Sequence, residues 1–114
     1  MNLLIVGSRN IKSFDLSPYI PKDTGLIITG GAIGIDRLAE KYADDHKISK
    51  LILRPQYCLY KKAAPLKRNE KMVDIADKII VIWDGKSKGS KYTADYAQKT
   101  NKDIKLIIWN NNLT

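Results

Sequence analysis

Cysteine occurs once in the 114 residues, at Cys58, and histidine once, at His46. A lone thiol closes no internal disulfide, and one thiol with one imidazole leaves no paired ligand spacing for a transition metal. Cys58 is expected to be a small buried apolar residue. Long apolar runs are also missing: none approaches the roughly 20 residues that span a bilayer. The opening segment "MNLLIVG" is too short for a signal peptide, so the expectation is a cytoplasmic protein with no membrane partner.

Acidic residues are scarce relative to basic ones, 12 Asp and Glu against 20 Lys and Arg, for a net charge of +8. That balance favours an anionic partner, a nucleotide or a nucleic acid. The lysines are scattered through helical and loop segments, however, so nucleic acid is the lesser expectation of the two. Two phosphate-binding signatures are absent as well. No G-x-x-x-x-G-K-[ST] stretch occurs, and the G-x-G-x-x-G fingerprint does not follow the first strand-like segment. An ordinary NAD dehydrogenase and a P-loop NTPase are thereby disfavoured.

What is present is an alternation of strands and helices along a chain that fits a single domain, residues 1–114. Five short runs rich in β-branched residues or leucine, Leu3 to Val6, Leu26 to Thr29, Leu51 to Leu53, Ile79 to Trp83 and Ile104 to Trp109, read as strands of a sheet buried on both faces. Between them, Ile35, Leu38, Ala39, Tyr42 and Ala43 recur at helical spacing. A second helix is expected to begin near Pro65 and to turn Leu66, Met72, Val73 and Ala76 inward. A third follows Ser90, with Ala94 and Ala97 small enough to pack close to the sheet. In the first connection, Ser17-Pro18 is expected to cap a short helix, and Asn110 to Thr114 reads as a frayed tail. The pattern predicts a three-layer α/β/α Rossmann-like sandwich around a mostly parallel five-stranded sheet.

In such sheets ligands sit beyond the carboxyl ends of the strands. Three glycine-bearing loops fall there: Gly7-Ser8-Arg9-Asn10, then Gly30-Gly31-Ala32-Ile33-Gly34, then Asp84-Gly85-Lys86-Ser87-Lys88-Gly89-Ser90. Glycine lets a ligand approach the backbone, and each following helix offers unpaired N–H groups to an anion. A tight strand-to-helix turn explains any one of these loops equally well; three together favour a phosphate site. Arg9 and Arg68, two of only four arginines, lie beside these loops, where a planar fork suits phosphate and a surface salt bridge is the competing explanation. Asp36 either complements the dipole of its helix or accepts hydrogen bonds from a ribose. Trp83 reads as core more readily than as a base-stacking platform, whereas Tyr57 and Tyr60 are candidates for a lid.

The blocks "VGSRN", "TGGAIGIDRLAEKYA", "APLKRNEKM" and "DKIIVIWDGKSKGS", in this order across residues 3–100, resemble the SLOG superfamily, named for the DNA-processing protein and LOG families, and in particular its small stand-alone bacterial and phage members. The resemblance implies a Rossmann-like fold and one pocket for a nucleotide or nucleotide-derived ligand. It would gather Gly7, Ser8 and Arg9 with Gly30, Gly31 and Asp36, then Arg68 and Asn69, then Gly85, Ser87, Gly89 and Ser90. LOG-type phosphoribohydrolases carry P-G-G-x-G-T-x-x-E in the last loop; here Thr93 stands at the glutamate, and a threonine supplies no carboxylate. Asn69 replaces the lysine of their R-K-x-x-M, leaving Glu70 as a candidate acid or base, and Ala64 stands where close relatives often have glycine. The expected function is therefore non-catalytic binding of an NAD-, ADP-ribose- or cyclic ADP-ribose-type ligand, as a sensor or a sequestering protein. No resident cofactor and no metal are expected. Nucleotide N-glycoside hydrolysis and single-stranded DNA binding are the alternatives, and homo-oligomerisation is a further expectation from the resemblance.

Overall fold

The computed structural model describes residues 1–109, so the expected fraying of Asn110 to Thr114 lies outside the described residues. Five strands, β1 (Asn2–Gly7), β2 (Leu26–Thr29), β3 (Ser49–Ile52), β4 (Lys78–Trp83) and β5 (Asp103–Ile108), form one sheet in the order β3-β2-β1-β4-β5. Every pairing is parallel, so the expected mostly parallel sheet is wholly parallel. Helices α1 (Ile35–Asp45), α2 (Tyr57–Tyr60), α3 (Ala64–Ile75) and α4 (Lys88–Lys99) connect the strands, with a 3-10 turn at Ser17–Tyr19. No helix among the described residues is long and apolar enough to cross a membrane.

Side chains of a strand alternate between the two faces of the sheet, and two cores follow from that alternation. Leu3, Ile5, Ile27, Ile80 and Ile82 meet Ile35, Ala39 and Ala43 of α1 on one face, together with Ile11 and Leu16 from the first connection. On the other face Leu4, Val6, Ile28, Ile79 and Val81 meet Met72 and Val73 of α3, Ala76 beyond its end, and Ala94 and Ala97 of α4. The result is the expected three-layer sandwich. On this second face α3 and α4 are also joined by two side-chain rungs: the Tyr92 hydroxyl donates to Glu70 Oε2, and the Tyr96 hydroxyl donates to Asp74 Oδ1 at 2.8 Å.

Some local expectations are corrected. Burial on both faces holds for the inner strands β1, β2 and β4, whereas β3 and β5 are edge strands whose residues are mostly exposed. Cys58 is exposed on α2, and Leu66, in the first turn of α3, is 38% exposed rather than turned inward. Helix α4 begins at Lys88, before Ser90. The 3-10 turn carries no side-chain cap from Ser17; instead the Ser17 amide donates to Asp15 Oδ1 at 3.0 Å.

From β1 the chain steps outward to β2 and β3, crosses back to β4, and steps outward again to β5. The strand order therefore reverses between β1 and β4, where the loops leaving the two strands diverge and open a crevice. Gly7 ends β1 opposite Ile82, and α1 starts directly above it. A Cβ at Gly7 would lie 2.5 Å from Ile35 Cγ1 and 2.6 Å from the Ile82 carbonyl oxygen. Gly7→Ala is thus expected to push α1 off the sheet and to destabilise the protein by about 1–3 kcal/mol, read as a lower denaturation midpoint in urea. An unchanged midpoint would show that the contact relaxes freely.

Candidate functional site

The crevice is closed at its base by hydroxyl and carboxylate groups. Ser8, buried at the end of β1, places Oγ 3.1 Å from Ser87 Oγ and accepts the Asp84 amide at 3.0 Å. Asp84 Oδ1 accepts the amides of Lys86 and Ser87 at 2.9 and 2.8 Å, and these bonds, Ser87 first, hold its carboxyl below the usual aspartate range. Trp83 Nε1 donates to the Ser87 carbonyl at 2.9 Å while its ring packs against the α3/α4 core. Trp83 is therefore core and brace, and its indole is committed to fixing the start of α4.

Above this base lies a cavity of about 450 Å³, within the range of small-molecule sites. Gly7, Arg9, Asp36, Arg68 and Asn69 line it, as do Asp84, Ser87, Gly89 and Ser90. These are nine of the residues expected from the sequence. Ser8, Gly30, Gly31, Gly34 and Gly85 do not line it. Asn10, Lys88 and an apolar wall of Pro65, Leu66 and Met72 join the lining without having been singled out as ligand contacts. Asn10 and Lys88 each neighbour a residue that was, and Lys88 was missed because α4 starts earlier than its apolar pattern.

The loop Gly30 to Gly34 is built differently from a phosphate cradle. Asp36 is 5% exposed, and its Oδ2 accepts the amides of Gly30 and Ala32, both at 3.2 Å, while the Gly31 amide donates to Thr29 Oγ1. The loop thus wraps a carboxylate of its own helix, and the Gly30, Gly31 and Ala32 amides all have acceptors within the protein. Arg68 reaches the same place from α3: its Nη1 donates to the carbonyls of Gly30 at 2.8 Å and Leu53 at 3.1 Å, and its Nε donates to Asn69 Oδ1 at 2.7 Å. A Cβ at Gly30 would lie 2.6 Å from Arg68 Nη1 and 3.0 Å from Asp36 Oδ2, so the glycine is what lets the two side chains share this corner. Gly34, at φ 81°, has the carbonyls of Ser8 and Arg9 where a side chain would stand.

Neither Arg9 nor Arg68 has an ion pair within 4 Å among the described residues, so the salt-bridge explanation does not hold for them. Burial lowers the Arg68 guanidinium from its ordinary value, with the nearby Asp36 opposing that shift. Unpaired backbone donors come from α4. Its N-cap, Ser87, makes no side-chain cap bond, and in a first helical turn the leading amides lack carbonyl partners. Gly89 and Ser90 sit in that turn and line the cavity; a Cβ at Gly89 would meet nothing within 4 Å, so protein packing does not require a glycine there. Thr93 also lines the cavity and donates its hydroxyl to the Gly89 carbonyl at 3.0 Å.

Glu70 lies outside this cavity, on a second one of about 330 Å³. Tyr60 lines that second cavity too, and Tyr57 lines neither. Among the described residues no cluster of three or more His, Cys, Asp or Glu side chains has the makings of a metal site. Comparison with protein-family models, with curated proteins and with solved structures returned no match for this chain.

Asp36 generates a pH prediction. Burial, the largest influence, pushes its carboxyl from 3.8 up to about 6, against the two loop amides and Arg68, which favour the charged form. A carboxyl that holds its proton more tightly when folded stabilises the fold at low pH. That contribution is lost as pH rises from about 4 through about 6, and the shift corresponds to about 3 kcal/mol. Asp36→Asn keeps an oxygen for the two amides and removes the titration. Urea midpoints measured between pH 4 and pH 8 should lose that part of their slope in the variant; an unaltered slope would assign the titration to another group.

Proposed function

We propose that this chain binds a nucleotide-derived ligand in the cavity between β1 and β4. The observation that carries the proposal is the division of that cavity into two chemistries. Its lining combines the first turn of α4, Arg9 and Lys88, a setting for phosphate, with Pro65, Leu66 and Met72 of α3, apolar surface for a base. Arg68 and Asn69 also line it, with donors suited to ribose or phosphate oxygens. The resemblance to the SLOG superfamily supports the same ligand class, narrowed to NAD-, ADP-ribose- or cyclic ADP-ribose-type molecules. Thr93, whose hydroxyl is turned back to the Gly89 carbonyl, stands where LOG-type enzymes would carry a glutamate. That favours binding without turnover, as in a sensor or a sequestering protein.

Thermal denaturation with AMP, NAD, ADP-ribose, cyclic ADP-ribose and a short single-stranded DNA tests the reading. A ligand at about 100 times its dissociation constant contributes about 2.7 kcal/mol, a rise of several degrees for a domain this size. The expected result is such a rise with at least one nucleotide, lost in Arg9→Ala combined with Lys88→Ala. Stabilisation by DNA alone, falling steeply with salt, would replace this reading with nucleic-acid binding through the lysines.

One observation favours a catalytic second reading. Asp36 is a buried carboxyl, pushed up to about 6, on the wall of the cavity, and a group so tuned suits general acid–base work. In that case incubation with AMP releases free adenine, detectable by chromatography, and Asp36→Asn abolishes release while binding persists. AMP that binds and stays intact leaves the non-catalytic reading in place.

A further inference from the structure

The paired glycines of the β2–α1 loop make room for two arginines. Gly30 accommodates Arg68; at Gly31, where φ is 74°, a Cβ would lie 2.8 Å from Arg54 Nη1. Two guanidinium groups therefore cover consecutive backbone positions, and neither has a carboxylate within ion-pair distance among the described residues. Asp36 attracts Arg68 from beyond ion-pair distance, so one buried carboxylate faces two guanidinium groups, and an added anion would balance the excess positive charge.

The second cavity lies at this place. Arg68 forms part of the wall of both cavities, and Arg54, Lys67 and Lys71 add three more cations to the second. Its two carboxylates, Glu70 and Asp74, offset only part of this charge. Glu70 accepts the Tyr92 hydroxyl and lies 3.8 Å from Lys67, and Asp74 accepts the Tyr96 hydroxyl. Lys71 and Arg54 have no ion-pair partner among the described residues. Arg68 has committed Nε and Nη1 to Asn69, Gly30 and Leu53, which fixes the plane of its guanidinium beside the space.

We infer that this second cavity is a phosphate site, formed by Arg54 and Lys71 beside Arg68, and that it takes a second phosphoryl group of the ligand held in the first. The inference rests on the nucleotide reading for the ligand's identity, but not for the existence of the anion site. It restricts the ligand class to molecules carrying two separated phosphates or a pyrophosphate bridge. The division of labour is geometric: the first turn of α4 serves one phosphate, the paired arginines serve the other, and Arg68 stands between them.

The experiment titrates isotope-labelled protein with inorganic phosphate, then with AMP and with ADP-ribose, following backbone amide and arginine Nε resonances. Phosphate is expected to shift two sets of signals, one around Ser90 and one around Arg54 and Lys71. Arg54→Ala combined with Lys71→Ala, both exposed positions, should erase the second set, leave the first and leave AMP affinity unchanged. It should weaken ADP-ribose by about tenfold or more, the worth of a charge-assisted contact. If phosphate shifts only the first set, or if the second set survives the double substitution, the site does not exist. If both sites take phosphate but ADP-ribose binds the double variant as tightly as the wild type, the bridging role is overturned. Failure of AMP to bind, with phosphate still shifting the Arg54 and Lys71 signals, would overturn the nucleotide reading and leave the anion site standing.

Discussion

A missing side chain at position 30 lets three layers meet at one point. Asp36 comes from α1 on one face of the sheet, Arg68 from α3 on the other, and both close on the backbone of Gly30 at the end of β2. Arg68 also ties in the Leu53 carbonyl just past β3. The apolar cores end below this edge, where the strand-end backbone needs partners of another kind. A buried carboxyl and a half-buried guanidinium supply them, each satisfying groups that water would otherwise have to reach. Burying such groups is costly, and here the cost falls on Asp36, whose proton is held more tightly as a result.

Much of the architecture was legible because the sheet is parallel and its inner strands are covered on both sides. Leu3 to Val6 and Ile79 to Trp83 are continuous apolar runs for that reason, and the stripe of α1 on Ile35, Ala39 and Ala43 is plain helical spacing. The edge strands were less well bounded, since β3 begins at Ser49 and Lys50, residues whose side chains face solvent and leave no apolar signal. Position along the strand ends also found most of the cavity wall. What it did not reveal was that the glycine pair makes room for arginines, because a glycine that admits a ligand and one that admits an arginine look identical in sequence. Arg54 was open to the same argument as Arg9 and Arg68, since it directly follows the third strand-end run. No spacing rule, however, links it to a glycine more than 20 residues earlier.

The use of arginine at this edge of a lysine-rich chain follows from geometry. A lysine ammonium at position 68 could not bond two carbonyls from different strands and a neighbouring amide oxygen with one planar group. The same planarity leaves one edge of the guanidinium for another partner. A structural brace thus doubles as a wall of the cavity, and the fold and the candidate site share a residue rather than merely adjoining.

The two tyrosine rungs between α3 and α4 bear on the cavity that these helices flank. Tyr92 meets Glu70 and Tyr96 meets Asp74, one helical turn apart on each helix. Two attachment points oppose both rotation and sliding of one helix against the other. On the proposed binding function such a site would work as a fixed gauge, sorting molecules by whether they fit an opening already set, with little ordering entropy left to lose when one enters.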